Sequence, residues 1–262
     1  MLRAELEAAL KAARGASEAI LDHYSRGATV RYKTPIEPVT EADTVADELI
    51  REELTNAFPD DGWLSEESVD APDRLTRQRV WIVDPLDGTR EFVARRPEFT
   101  VSIGLAVAGR PVLGVVQNPV TRECFYAVAG EGAFRSVAGG TPERLQVSRV
   151  PELRACRFAV SRSETLRGLL TPYETVLQLR ALGGMAMKLA LVATGAVDGT
   201  FTLQTRCEWD IAAGIVLVDE AGGEITRPDG SAYTLNQPSP VVRGVVATNG
   251  QMHGGLLAAL KR

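Results

Sequence analysis

The sequence has few of the residues that signal thiol or histidine chemistry. It holds three cysteines, Cys124, Cys156 and Cys207, and two histidines, His23 and His253, in 262 residues. The cysteines are odd in number, scattered and free of any Cys-x-x-Cys pair, which excludes a disulfide framework and a zinc ribbon. The histidines fall near the two ends of the chain and read as solvent-side residues, His23 on the outer face of a first helix and His253 as an exposed helical residue. There is no basic excess either. Charges of 29 against 34 give a net −5, which argues against a partner that is a nucleic acid polymer or an anionic membrane. No stretch approaches the ~18 consecutive apolar residues of a membrane span. The opening residues interleave Arg3, Glu5, Glu7, Lys11 and Arg14 with apolar ones, unlike the apolar centre of a signal peptide. The expected compartment is a reducing cytoplasm.

What is present is ordinary globular composition, 45% hydrophobic and 24% charged. A chain of this length buries a core without disulfides or structural metal. Leu2, Leu6, Ala9, Leu10, Ala13, Ile20 and Leu21 keep helical spacing up to Gly27. A loop or short extended piece, Arg31 to Val39, leads to Thr40-Glu41-Ala42-Asp43, a capping box for a second helix that ends before Pro59-Asp60-Asp61-Gly62. Val80 to Val83, Phe99 to Val107, Arg110 to Gln117 and Glu123 to Val128 read as strands, the last three as a meander. Beyond Leu153, strand-like pieces (157–160, 176–179, 197–203, 244–247) alternate with helix-like ones (185–194, 210–221, 251–261), the pattern of an α/β unit. Gly139-Gly140-Thr141-Pro142 is the candidate boundary. It divides an N-terminal α+β subdomain, 1–140, from a C-terminal α/β subdomain, 141–262.

The chemistry concentrates in Trp81-Ile82-Val83-Asp84-Pro85-Leu86-Asp87-Gly88-Thr89. A buried strand runs into two acids separated by Pro85 and Leu86, and acids at strand ends face the crevice where ligands bind. Hard oxygen ligands suit Mg²⁺ or Mn²⁺. Gly88 and Thr89 begin a helix whose free N–H groups can hold phosphate. The plain alternative is a strand-end turn with capping acids. Glu66-Glu67 within Ser65 to Ser68 is a ligand pair or a solvated loop. Asp210, in Glu208-Trp209-Asp210-Ile211-Ala212-Ala213-Gly214, is a ligand or an N-cap, and the small residues after it suit close helix packing.

Taken together, Val39 to Asp43, Ser65 to Ser68, Asp84 to Thr89 and Trp209 to Gly214 resemble the motifs of the inositol monophosphatase superfamily, in its order and across essentially the whole chain. The resemblance implies a layered αβαβα sandwich and a Mg²⁺-dependent, lithium-sensitive phosphomonoesterase. Two or three Mg²⁺ ions are implied, with Mn²⁺ able to substitute. It implies Glu66, Asp84, Asp87, Asp210 and the Leu86 carbonyl as metal ligands, Gly88 and Thr89 as the phosphate-holding turn, and Asp43 with Thr89 as the pair that orients or deprotonates water. Glu66 is thus also counted among the catalytic residues, and Glu67 stands beside it. Ser65 stands where many relatives have glycine, a change expected to matter little to metal binding. Two further features are similar to the 3′(2′),5′-bisphosphate nucleotidase branch: Arg90-Glu91-Phe92 after the turn, and Val160-Ser161-Arg162-Ser163. Gly183 to Lys188 lies where that branch has a Gly-Ser-x-x-x-Lys turn, with Gly184 replacing the serine. The substrate set implied is Leu86, Asp87, Gly88, Thr89, Ser161, Gly184, Lys188 and Asp210. Lys188 either meets a second phosphate or is a surface lysine. The implied reaction is hydrolysis of 3′-phosphoadenosine 5′-phosphate. Inositol-1-phosphate and fructose-1,6-bisphosphate are the alternatives, as is a catalytically silent metal- or phosphate-binding regulator. Monomer and homodimer both remain open.

Overall fold

The computed structural model describes residues 2–34 and 37–261. Helix α1 (Arg3–Arg26) stops at Gly27, whose φ of +87° suits glycine. A hairpin of β1 (Val30–Thr34) and β2 (Glu37–Thr40) follows, a two-stranded sheet where a loop or short extended piece is expected. Helix α2 (Glu41–Ala57) has the expected capping box: the Thr40 hydroxyl accepts from the Ala42 N–H, and Asp43 accepts from the Thr40 N–H at 2.8 Å.

Seven strands build the first sheet: β3 (Gly62–Ser65), β4 (Arg79–Asp87), β5 (Thr100–Val107), β6 (Arg110–Gln117), β7 (Glu123–Val128), β8 (Gly132–Val137) and β9 (Glu143–Arg144), neighbours in that order. The β3–β4 pair is parallel and the rest antiparallel. A short helix, α3 (Thr89–Val93), leaves β4. The second half contains β10 (Arg157–Ser161), α4 (Arg162–Leu166), α5 (Thr171–Glu174), β11 (Gln178–Leu182), α6 (Met185–Ala193), β12 (Gly199–Cys207), α7 (Glu208–Glu220), β13 (Glu224–Thr226), β14 (Val241–Thr248) and α8 (His253–Leu260). Its five strands lie in the order β11-β10-β12-β14-β13.

The layers run helix, sheet, helix, sheet, helix. Ala9, Ala13 and Ile20 of α1 and Ala46, Ile50 and Leu54 of α2 pack on Trp81, Val101, Ile103 and Val115 of the larger sheet. Leu189 of α6 and Ile211, Ala212 and Ile215 of α7 fill the space between the two sheets, and Leu256 and Leu260 of α8 cover the far face of the smaller one. The small residues beside Asp210 have a geometric cause. A Cβ on Gly104 of β5 would lie 2.7 Å from the Ala212 Cβ, and one on Gly114 of β6 only 2.3 Å from the Ala213 carbonyl oxygen. Helix α7 therefore sits directly on the sheet and carries Asp210 to the end of β4.

His253 corrects one expectation. It is 3% exposed, not a solvent residue, because its ring spans two buried threonines, with Nε2 2.9 Å from Thr226 Oγ1 and Nδ1 2.9 Å from Thr248 Oγ1. His23 is half-buried near the end of α1. Burial holds the His253 pKa below its ordinary value, opposed by Glu224. The neutral ring thus stabilises the fold above about pH 6.5, and that stability is lost as pH falls below it, by at most ~1.4 kcal/mol per pH unit. Denaturant unfolding between about pH 7.5 and about pH 5.5 should show a steeper loss for wild type than for His253→Gln. Equal slopes would contradict this role.

Candidate active site

The acids converge through an irregularity in β4. On a regular strand residues three apart face opposite sides of the sheet. Here Asp84 pairs with Ser102 and Asp87 with Thr100, so the register shifts between them and the bulge turns both carboxylates toward one point. Gly88 follows with φ +100°, and a Cβ there would meet the Glu98 carbonyl at 2.9 Å, so only glycine makes the turn into α3. Asp210 arrives at the third position of α7, not at its cap, and accepts from the Cys207 N–H at 2.6 Å. Ligand oxygens of Asp84, Asp87 and Asp210 lie within 4.8 Å of one another.

Each carboxylate is steadied by backbone amides. Asp84 accepts from the Leu86 N–H at 3.0 Å, and Asp87 from Met185 at 3.0 Å and Ala186 at 2.7 Å. Burial pushes Asp84 well above the usual carboxylate range, and Glu66, Asp87, Asp210 and Asp43 push it the same way. Asp210 rises to about 7, through burial first and Asp87 next. A buried group of like charges is relieved by a cation placed among them. The donors are hard oxygens of the kind that hold Mg²⁺ or Mn²⁺, so the residues fit a divalent metal.

The other predicted residues surround this group. Thr89 Oγ1 donates to Asp43 Oδ1 at 2.9 Å and lies 3.2 Å from the Leu86 carbonyl, while Asp43 Oδ2 accepts from the Thr40 hydroxyl at 2.6 Å. Burial raises the Asp43 pKa, opposed by these donors. Glu66 lines the same cavity of about 560 Å³ but stands apart from the three aspartates, paired with Lys33 at 3.1 Å. Lys33 also meets Glu67 at 2.6 Å, so the paired glutamates are neither a free loop nor a bare ligand pair. Burial pushes Glu67 up to about 7.

The cavity is also lined by Ser161, Arg162, Gly184, Lys188 and Arg206. Lys188 is no surface lysine: it is 3% exposed, its ammonium donates to the Gly184 carbonyl, and burial lowers its pKa to about 8. Gly184 has φ +57°, and a Cβ there would lie 2.9 Å from Asp87 Oδ2, which explains a glycine in place of serine. Ser161 caps α4 and lies 3.0 Å from the Ser163 hydroxyl. Arg162 pairs with Glu91 at 3.6 Å and with Glu98, and Arg206 pairs with the buried Glu164 at 2.6 Å. Lys33, Glu98 and Arg206 were not singled out from the sequence. They reach the site through space, and no local spacing announces them.

The layered fold and an acid-lined cavity built for a divalent cation define a phosphate-ester hydrolase. The chain belongs to the inositol monophosphatase family, whose model matches residues 1–262. This family is one of metal-dependent phosphomonoesterases. The chain is 38% identical to a histidinol-phosphatase of Mycobacterium tuberculosis, over 87% of this chain and 86% of that one. It is 34% identical to a 3′(2′),5′-bisphosphate nucleotidase CysQ of Aggregatibacter actinomycetemcomitans, over 88% and 87%. Among solved structures, an IMPase of Thermotoga maritima superposes with a TM-score of 0.85 at 32% identity, over 100% of this chain and 97% of that one. No helix among the described residues is long and apolar enough to cross a membrane.

The crowded acids give a stability test. Asp210→Asn removes one like charge and keeps an acceptor for the Cys207 N–H. Without metal it should melt no lower than wild type. Its Mg²⁺-induced rise in Tm should be largely lost and kcat should fall at least about a hundredfold. A full Mg²⁺-induced shift in the variant would remove Asp210 from the metal site.

Proposed function

We propose that this enzyme is a Mg²⁺-dependent 3′(2′),5′-bisphosphate nucleotidase that converts 3′-phosphoadenosine 5′-phosphate to AMP and phosphate. The observation that carries this reading is one cavity lined both by the acid group and by Arg162, Lys188 and Arg206. A monophosphate uses the acid group with its metal, whereas a bisphosphate also uses these cations. The CysQ relative's name agrees with this reading, and the histidinol-phosphatase and IMPase names supply the competing substrates for the test.

Glu66, Asp84, Asp87, Asp210 and the Leu86 carbonyl would hold Mg²⁺, which when bound neutralises the phosphate and lowers the pKa of a bound water. The chain's own groups aim that water. The Thr89 hydroxyl, turned to donate to Asp43, has lone pairs left to accept from a water in the cavity. Asp43, held at its other oxygen by Thr40, fixes that direction and offers the proton a route. Lys188 and the two arginines, already ordered by their carboxylate and carbonyl partners, bind the second phosphate with little loss of side-chain freedom.

The deciding comparison is kcat/KM for the adenosine bisphosphate, inositol-1-phosphate, histidinol phosphate and fructose-1,6-bisphosphate on one preparation. The adenosine bisphosphate should lead. Preference for either monophosphate would refute the substrate assignment and leave the phosphatase intact. Lys188→Met should raise KM for the bisphosphate by about ten- to a hundredfold, the scale of a lost charged hydrogen bond, and leave monophosphate turnover nearly unchanged.

Water activation is tested separately. Thr89→Ala should cut kcat by about a hundred- to ten-thousandfold, and Thr89→Ser should retain far more. Asp43→Asn keeps the helix cap but forces its amide N–H₂ toward Thr89, reversing that hydrogen bond. It should resemble Thr89→Ala, and a near-normal kcat would reduce Asp43 to a cap.

A further inference from the structure

Helix α2 presents two buried carboxylates one turn apart, and only the first has been accounted for. Asp43 is 1% exposed and holds Thr89, whereas Asp47, 5% exposed, faces the segment that follows β3. Its two oxygens are taken by two hydroxyls: Ser65 donates to Oδ1 and Ser68 to Oδ2. These serines bracket Glu66-Glu67. The bracket is tightened from within, since the Glu67 N–H donates to Ser65 Oγ at 3.4 Å and the Trp63 indole N–H to Ser68 Oγ at 3.2 Å. The Glu66 N–H donates to the Val83 carbonyl at 3.2 Å, which ties the same segment to β4 just before Asp84.

A carboxylate so deeply buried, with no cationic partner among the described residues, costs stability unless its acceptors are filled. Here both are filled by donors that flank Glu66, and both lie on the helix that positions Asp43. We propose that Asp47 is a positioning residue that sets Glu66 toward the aspartate group by clasping both ends of the Ser65–Ser68 turn. Helix α2 thereby fixes the water-orienting pair and the glutamate limb in one rigid frame. Ser65 is then not a neutral replacement for glycine, because its hydroxyl is half of the clasp. The inference rests on Glu66 being a metal ligand, and its test separates the two.

Mg²⁺ binding to the metal-free enzyme is measured by titration calorimetry, alongside kcat and KM from phosphate release. The proteins are wild type, Asp47→Ala, the Ser65→Ala/Ser68→Ala double variant, Asp47→Asn, and Asp60→Asn in the exposed turn before β3 as control. Loss of the clasp should weaken Mg²⁺ binding by about ten- to a hundredfold, the range for groups that orient metal ligands, and lower kcat with little change in KM. Asp47→Asn should recover much of this, since the serine hydroxyls can turn to meet an amide. The serine double variant leaves the α2 sequence untouched and decides the matter if Asp47→Ala does not fold. Variants that melt lower but bind Mg²⁺ as wild type does would show a purely structural role and overturn the proposal. Absence of Mg²⁺ binding in wild type would overturn the metal site itself, and this proposal with it.

Discussion

Three acids, Asp84, Asp87 and Asp210, meet at the end of one strand, while Glu66 lines the same cavity paired with Lys33. The close group of three aspartates is steadied by peptide N–H groups of Leu86, Met185, Ala186 and Cys207. Burial and the nearness of like charges raise the pKa of Asp84 and Asp210, so a cation placed among them is favoured. The architecture follows from bringing those peptides to one point. The bulge in β4 turns two acids together, the glycines of β5 and β6 let α7 lie close, and the Gly183-Gly184 turn aims the first amides of α6 at Asp87.

Three cations that line the cavity follow a different rule. Arg162 is matched by Glu91 and Glu98, Arg206 by Glu164, and Lys188 by carbonyls. Pairing holds long side chains in fixed directions before any ligand arrives. The Gly183–Glu91 contact shows how closely the cavity lining is fitted, because a Cβ on Gly183 would fall 2.2 Å from the Glu91 side chain. One cavity thus brings a group of acids together with ordered cations, an arrangement suited to a phosphate ester with a metal at the acids.

Much of the fold was readable along the chain where local signals agree with the final packing. Strands β6 and β7 have the boundaries set by the turn residues that punctuate them, and α2 begins at its capping box. Strands β3, β8, β9 and β13 were not foreseen, because short segments such as Gly132-Ala133-Phe134-Arg135 become strands through pairing with a neighbour. Within the candidate site, Asp84, Asp87, Gly88 and Thr89 stand out because one strand-turn carries them all. Asp47, Lys33 and Arg206 do not, since their partners lie 18, 33 and 42 residues away. His253 misleads for a related reason: its neighbours Gly250, Gln251 and Gly254 suggest a surface helix, while Thr226 and Thr248 enclose it.

The acid group works as a phosphatase centre only with a divalent cation among its carboxylates. The direct measurement is phosphate release from 3′-phosphoadenosine 5′-phosphate and from a simple aryl phosphate, in excess chelator and again after Mg²⁺ is restored. Turnover should be absent in chelator and return in proportion to free Mg²⁺ for at least one of the two esters. Undiminished turnover in chelator would contradict the account.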